Sequence, residues 1–284
     1  MLVIMTGGID LSIPGTMTIA AMVLVKIAGA SDDKLAFAIA LSLAVACLVG
    51  FANGFFVGVL KLNPLIVTLA VGQIVNGITI RYARGIAGES AVPALFSTWI
   101  TTQFLGANSI FWMAIIATLL LLLIFRYTEL GRKFQSVGAN PHAAWILGIR
   151  VDAYIVFAYV AAAFLYGLGG ILLAGLIRSP SLTFGLPYLL GPIAAVVIGG
   201  ASLTGGLANP MSTWGAAFFL TLLSQLLRVL GLPTALQFVV FGVAIVGGMV
   251  ISGDRIVTVI ENLLLGVARF KDTDVETKEG GRMA

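Results

Sequence analysis

The strongest constraint on this chain is a series of long runs without any charged side chain, of which residues 35–60 form one. As an α-helix this run would be roughly 39 Å long, and the hydrocarbon core of a bilayer is about 30 Å thick. The other charge-free runs are 62–80, 90–125, 153–177, 179–227 and 229–253. Charged residues make up only 10% of the 284 residues, and apolar residues make up 60%. A chain of this composition has too few charged groups to cover the surface of a soluble fold. The sequence therefore predicts an all-α fold, a polytopic helical bundle in a membrane.

These runs predict eight full membrane spans. Asn209-Pro210 divides the longest run, because proline is tolerated in the first turn of a helix. The apolar segment Met1–Met5 is too short for a span and lacks the basic start of a signal peptide, so we expect it to end a preceding span. We take residues 1–252 as the transmembrane domain and 253–284 as a tail. The predicted spans are about 13–29, 37–60, 63–80, 105–125, 153–177, 187–204, 210–227 and 234–252.

The distribution of basic residues predicts the orientation in the membrane. With eight spans, the loop 126–152, the tail and Lys61 lie on one side, and together they hold ten of the 16 Lys and Arg residues. Loops on the cytoplasmic side carry the excess of basic residues. We therefore expect the loop 126–152 and the tail to be cytoplasmic.

Few residues could carry chemistry. His142 and Cys47 are each the single residue of their type, and neither has the partners that a metal site or a nucleophile requires. The stretch Gly200–Gly205 has the glycine spacing of a phosphate loop, but Gly206-Leu207 stands where Lys-Ser/Thr is needed. We therefore predict no enzyme activity, no metal and no cofactor.

Ionisable residues are almost absent from the predicted spans. Asp10 and Lys26 lie near span ends, and the middles of the spans carry none. A proton-coupled or ion-coupled carrier usually has a carboxylate at mid-membrane. This pattern favours transport that is driven by a separate energy source. The alternative is a stand-alone channel or secondary carrier for a small neutral solute.

The segment Thr6-Gly-Gly-Ile-Asp-Leu-Ser-Ile-Pro-Gly15 predicts irregular backbone at the mouth of a span. Such backbone is tolerated at membrane depth only inside protein or beside a wet cavity. Gly8, Asp10 and Ser12 are therefore candidates for the translocation path. The alternative is that Asp10 and Ser12 simply cap the next helix.

The segment Val137–Ile149 predicts a short capped helix inside the basic loop. Asn140 is a typical N-cap with Pro141 at the first position, and Gly148 is a typical terminating glycine. Ala144 and Leu147 are three residues apart and should share an apolar face. Such a face suits docking into a groove of another protein. The alternative is a helix that rests on lipid headgroups through Trp145.

The segment Leu186–Gly206 carries prolines at the predicted start of a span and paired glycines at its end. A gate or substrate path is one interpretation, and a closely packed helix end is the other. Its candidate path residues are Gly199, Gly200, Ser202, Thr204, Gly205 and Gly206.

A stripe of glycines four residues apart marks the second predicted span. Gly50, Gly54 and Gly58 lie on one helix face and permit close approach of another helix. We expect this stripe to pack inside the bundle rather than to form a homodimer.

Together, the three segments resemble the permease subunits of bacterial ribose and simple-sugar ABC importers, a family that also contains branched-chain amino-acid permeases. Gly8-Ile9-Asp10-Leu11-Ser12 is similar to the signature at that family's turn between the second and third spans. Gly138-Ala139-Asn140, with Ala143-Ala144 and Gly148-Ile149, is similar to its cytoplasmic coupling segment. Ile193–Gly206 is similar to its glycine-rich segment. Family members have about ten spans, so eight spans and the Met1–Met5 remnant suggest a chain that lacks the family's beginning.

The resemblance implies a multi-pass subunit of the bacterial cytoplasmic membrane that performs no chemistry itself. Its implied partners are ATPase subunits, a periplasmic or lipid-anchored solute-binding protein and a second permease subunit. It would translocate a sugar or related small solute. The residues implied to couple transport to the ATPase are Gly138, Asn140, Ala143, Ala144 and Gly148.

Overall fold

The computed structural model describes residues 1–29, 31–84, 92–206 and 208–233, together with 235–236, 239–240, 242–244 and 246–247. The chain divides into two compact units, Met1–Thr221 and Leu222–Ala284. The packing described below is that of the first unit. In the second unit, the helix that begins at Pro210 ends at Val229, a turn follows at Gly231, and the described residues between 235 and 247 are helical. The predicted tail, 253–284, lies outside the described residues.

The regular secondary structure in the described part of the chain is helical apart from one small hairpin. The hairpin pairs strand β1 (Gln103–Phe104) with strand β2 (Ala107–Asn108) in antiparallel fashion. Single turns of 3₁₀-helix occur at Asp32–Lys34 and Leu186–Tyr188, and a π-helical turn occurs at Phe55–Val59. The α-helices are α1 (Leu2–Met5), α2 (Ile13–Ala28), α3 (Leu35–Gly54), α4 (Pro64–Ala83), α5 (Ala94–Thr101), α6 (Ser109–Tyr127), α7 (Glu129–Ala139), α8 (Pro141–Ile146), α9 (Val151–Ile177), α10 (Gly191–Ile198) and α11 (Pro210–Val229).

Four helical segments of the described chain are long and apolar enough to cross a membrane. They are Asp32–Val59, which contains α3, and the helices α4, α6 and α9. These segments coincide with the predicted spans 37–60, 63–80, 105–125 and 153–177. The helix α2 corresponds to the predicted span 13–29 but has 16 residues, and α11 corresponds to 210–227.

The helix α2 lies at the centre of the first unit. Most of its residues are buried, as expected for a helix that other helices surround, and Ala20, Ala21 and Leu24 have no exposed surface. Its neighbours approach at glycines. A Cβ atom on Gly170 of α9 would overlap the carbonyl oxygen of Met17, and one on Gly15 would lie 3.1 Å from the carbonyl oxygen of Gly72 on α4.

The glycine stripe of α3 packs against α9, so the prediction of internal packing is confirmed for this face. A Cβ atom on Gly50 would lie 2.5 Å from the carbonyl oxygen of Tyr159, and one on Gly54 would lie 2.7 Å from the Cα atom of Val156. A Cβ atom on Gly58 would lie 3.1 Å from the carbonyl oxygen of Asp152. Small residues let the two backbones touch, which is how helices gain van der Waals contact in a membrane.

Residues 187–204 differ from the continuous span that the sequence predicted. The helix α10 covers only Gly191–Ile198 and ends at Gly199, and Gly200 has a φ angle of +86°, which an α-helix does not allow. The structure also contains α5 and the hairpin, neither of which was predicted. The last predicted span, 234–252, falls largely outside the described residues, so the count of eight spans stays a prediction.

Candidate functional site

Residues 6–12 join α1 to α2 as an irregular segment in which Gly8, Asp10 and Ser12 are buried. The side chain of Asp10 is 4% exposed and that of Ser12 is 1% exposed. One carboxylate oxygen of Asp10, Oδ1, accepts hydrogen bonds from the backbone N–H of Ser12 at 2.8 Å and from its hydroxyl at 2.6 Å. Ser12 occupies the N-cap position of α2, but its own side chain makes no capping bond. The predicted irregular backbone is confirmed, and Asp10 rather than Ser12 supports the start of α2.

Two polar residues that the sequence reasoning missed hold this segment in place. Asn53 of α3 donates a hydrogen bond from Nδ2 to the hydroxyl of Ser12 at 2.8 Å. The hydroxyl of Thr68 on α4 accepts from the backbone N–H of Leu11 at 3.0 Å and donates to the carbonyl oxygen of Ile9 at 3.3 Å. Asn53 and Thr68 are both fully buried. The sequence signal for Asn53 was an amide side chain inside the otherwise apolar run 35–60.

Three buried polar atoms around this segment have no hydrogen-bond partner within the described part of the chain. They are Oδ2 of Asp10, Oδ1 of Asn53 and the hydroxyl of Tyr159. Gly8 lies against that hydroxyl, because a Cβ atom at this position would be 2.5 Å from it. A cavity of about 20 Å³ is lined by Asp10 and Tyr166, which is enough for one water molecule. The segment therefore presents polar groups to a small internal space.

The short helix in the basic loop has the predicted ends. Oδ1 of Asn140 accepts a hydrogen bond from the backbone N–H of Ala143 at 3.0 Å, and Pro141 occupies the first turn. Gly148 has a φ angle of +77°, and its N–H donates to the carbonyl oxygen of Trp145 at 2.9 Å. The predicted cap, first-turn proline and terminating glycine are confirmed.

The face that this helix exposes differs from the prediction. Ala144 is only 1% exposed and packs with Val137 of α7 and Val151 of α9. Leu147 is 75% exposed, so the expectation that Ala144 and Leu147 share one outward face is wrong. Ala144 faces inward because α8 is held between α7 and the start of α9, and a methyl group fits that space. The α8 surface patch, as we name it, consists of the exposed apolar side chains Trp145, Ile146 and Leu147.

The glycine-rich segment after α10 forms a compact turn. The hydroxyls of Ser202 and Thr204 share a hydrogen bond of 2.7 Å and are both exposed. Gly205 and Gly206 have φ angles of +96° and +108°, a region that L side chains rarely adopt. Gly199 packs on α11, since a Cβ atom there would lie 2.9 Å from the Cα atom of Thr213.

The three segments singled out from the sequence meet in the fold. Gly206 donates a backbone hydrogen bond to the carbonyl oxygen of Met5 at 2.9 Å. A Cβ atom on Gly205 would lie 2.8 Å from the carbonyl oxygen of Gly138 and 3.1 Å from the N–H nitrogen of Gly7. Gly138 thus lies inside the fold against the other two segments, whereas Asn140, Ala143 and Gly148 lie at the exposed loop. Sequence reasoning found each segment but not their contact.

Comparisons with known proteins agree with these features. Residues 1–249 match the family model described as the permease component of the branched-chain amino acid transport system. The ribose import permease of Escherichia coli (strain K12) is 30% identical over 257 residues, which cover 89% of this chain and 80% of that protein. The ribose import permease of Bacillus subtilis (strain 168) is 33% identical over 246 residues, covering 86% and 76%.

A third relative is named for a different sugar. The fructose import permease of Rhizobium meliloti is 30% identical over 256 residues, which cover 86% of this chain and 70% of that protein. No solved structure matches the chain. With its apolar helices, its irregular buried segment and a family match over most of its length, the chain belongs to the permease-component family of the branched-chain amino acid transport systems.

Proposed function

We propose that this chain is the membrane-spanning subunit of an ATP-binding-cassette importer and translocates a sugar or related small solute. The observation that carries the proposal is the α8 surface patch. The patch lies in the loop with the basic residues Arg126, Arg132, Lys133 and Arg150. Two large apolar side chains at the end of this six-residue helix and a third directly after it are exposed there, and such a patch suits an interface with another protein.

The energy for transport would come from ATPase subunits that bind this patch from the cytoplasm. The excess of Lys and Arg residues supports a cytoplasmic position for the loop 126–152. Asn140 and Gly148 fix the two ends of α8, and Ala144 anchors it to α7 and α9. A helix fixed in this way moves together with α7 and α9 when its outer face is pushed. The permease itself would bind the solute weakly and perform no chemical step.

The solute class is supported by the relatives, which are named as ribose and fructose import permeases. A solute-binding protein would deliver the solute on the outer face of the cytoplasmic membrane. A second permease subunit, identical or related, would complete the path. Gly8, Asp10 and Ser12, with the exposed hydroxyls of Ser202 and Thr204, are the candidate path residues.

The patch is tested by placing a charge on it. Leu147→Arg adds a cation at a side chain that is 75% exposed, so the fold is retained while a buried interface with an ATPase subunit would have to desolvate the charge. Leu105→Arg is the matched control. Leu105 is 79% exposed and lies before the start of α6, whereas the patch lies beyond the end of α6. Both variants are co-expressed with the ATPase and solute-binding proteins of the proposed importer.

The readouts are co-purification of the ATPase subunit and ATP-dependent uptake of labelled ribose, fructose and galactose into proteoliposomes. We expect Leu147→Arg to reduce co-purification and uptake by about tenfold or more, as a loss of 1.4 kcal/mol in binding would, and Leu105→Arg to match the wild type. Retention of both activities in Leu147→Arg would refute the docking role of the patch. Uptake of the sugars without any ATPase partner would favour a stand-alone channel or carrier instead.

A further inference from the structure

A set of backbone contacts joins the loop that carries the α8 surface patch to both candidate path segments. We call this set the glycine junction; it consists of Met5, Gly7, Gly138, Gly205 and Gly206. Its contacts are main chain against main chain. A Cβ atom on Gly138 would overlap the carbonyl oxygen of Met5 and lie 3.0 Å from the nitrogen of Gly206.

Four of the five residues of the junction are glycines, and Met5 takes part through its backbone carbonyl, so the junction is tight. The backbone of Gly205 lies against the backbones of both Gly138 and Gly7. The N–H of Gly206 donates a hydrogen bond to the carbonyl oxygen of Met5. No rotatable side chain stands between these backbones to absorb a displacement. Close-packed interiors transmit strain, so a shift of Gly138 must move its neighbours or break the contacts.

The junction continues into rigid packing on the side of the patch. Ala144 beneath the patch packs on Val137, the residue before Gly138. Phe134, one turn earlier on α7, is 1% exposed and lies edge-to-face with Phe125 of α6 and Tyr154 of α9. A push on α8 therefore passes through α7 to Gly138.

On the other side the junction continues into the candidate path. Met5 and Gly7 lead directly to the segment of Asp10 and Ser12, which is bonded to α3 and α4. Gly205 and Gly206 close the turn that carries the hydroxyls of Ser202 and Thr204. Both segments thus begin within a few residues of the junction.

We propose that the glycine junction transmits the movement of α7–α8 to the two path segments, and that Gly138 is a positioning residue for transport instead of a contact residue for the ATPase. This inference rests on the proposed function. Gly138 would then act in the contact between the loop and the candidate path segments, and not on the outer surface of the loop. Gly205 and Gly206 would act in the same contact.

The test compares two substitutions with two matched controls. Gly138→Ala and Gly205→Ala each place a methyl group in the junction. Gly77→Ala is the control for a helical glycine, since a Cβ atom at Gly77 meets nothing within 4 Å. Gly106→Ala is the control for the left-handed backbone, because Gly106 has a φ angle of +79° and also meets nothing within 4 Å.

The measured quantity is the number of sugar molecules imported per ATP hydrolysed, in proteoliposomes that contain the permease with its ATPase and binding protein. The probe is whichever of labelled ribose, fructose and galactose the wild type imports fastest. This ratio does not depend on the amount of folded complex, so a purely structural loss leaves it unchanged. Co-purification of the ATPase subunit is measured in parallel.

We expect Gly138→Ala and Gly205→Ala to retain ATPase binding and hydrolysis and to lower the ratio by about tenfold, within the usual range of coupling between sites. The two controls should keep the wild-type ratio. A wild-type ratio in both junction variants, at any yield, would overturn the inference while leaving the proposed function intact. A wild type that neither hydrolyses ATP with its partner nor imports any of the three sugars would overturn the proposed function and this inference together.

Discussion

Asn53 on α3 donates a hydrogen bond to the hydroxyl of Ser12, 2.8 Å away and 41 positions earlier in the chain. The same hydroxyl donates to the carboxylate of Asp10 at 2.6 Å. All three side chains are buried in a bundle of apolar helices. Because the interior of a membrane offers no water, polar groups there need partners within the protein. This pair of bonds therefore fixes the irregular segment before α2 to the helix α3.

Asn53→Ala is expected to destabilise the protein. The substitution removes the hydrogen bond to the Ser12 hydroxyl, which keeps only its bond to Asp10, and the loss of one such bond costs about 0.5–1.5 kcal/mol. Ser42→Ala is the control, because Ser42 is also buried on α3 but bonds only within its own helix, to the carbonyl oxygen of Ala38. Thermal unfolding of the purified proteins in detergent measures both. Equal melting temperatures for the two variants would contradict a clamping role for Asn53.

Gly54→Leu should prevent α3 from packing on α9. A Cβ atom at Gly54 already lies 2.7 Å from the Cα atom of Val156, so a leucine requires the helices to separate. Overpacking costs about 1–3 kcal/mol where side chains can adjust, and a backbone cannot adjust as they do. The expected result is a loss of monodisperse protein in size-exclusion chromatography.

The control for the stripe is Gly77→Leu, at an exposed position of α4 with nothing within 4 Å of an added Cβ atom. It should give the yield of the wild type. If Gly54→Leu also purified with normal yield and normal melting temperature, the contact between α3 and α9 would not be the one described.

Ala144→Arg should destabilise the loop itself. Ala144 is 1% exposed between Val137 and Val151, and a charged side chain placed there loses its hydration at a cost of several kcal/mol. The neighbouring variant Ala143→Arg puts the same charge on the exposed side of α8. Limited proteolysis between α7 and α9 measures the difference. We expect faster cleavage in Ala144→Arg alone, and equal rates would show that Ala144 is not packed inward.

The orientation in the membrane is tested by labelling single cysteines in intact cells after replacement of Cys47. Ser136 lies in the basic loop and Ser179 lies beyond the other end of α9, and both are exposed. Since the basic loop is expected on the cytoplasmic side, a membrane-impermeant maleimide should label Ser179→Cys and not Ser136→Cys. The reverse pattern would invert the topology, and permeabilised cells should label at both positions.

The sequence by itself determined the features that a few neighbouring residues encode. The charge-free runs located α3, α4, α6 and α9, because a helix that crosses a bilayer must be apolar along its length. Asn140, Pro141 and Gly148 located both ends of α8, because capping depends on residues within one turn. Gly50, Gly54 and Gly58 identified a packing face, since their spacing alone places them together.

Only the tertiary structure decided which apolar surfaces lie inside. In a membrane the residues that face lipid are as apolar as those that face the core, so hydrophobic periodicity does not separate them. Val49 of α3 is buried while its neighbour Leu48 is 66% exposed, although both are apolar residues in the same charge-free run. For the same reason Ala144 turned out to face inward while Leu147 faced outward.

The contact of Gly138 with Met5 and Gly205 also came from the fold alone. It joins backbone atoms of three distant segments, and backbone contacts leave no pattern of side chains along the chain. The break at Gly199 and Gly200 is similar, because Gly199 packs against the backbone of Thr213, far along the chain, and the left-handed Gly200 follows it within an apolar run. Local chemistry thus specified the helices and their ends, and the contacts between the candidate path segments depended on how those helices pack.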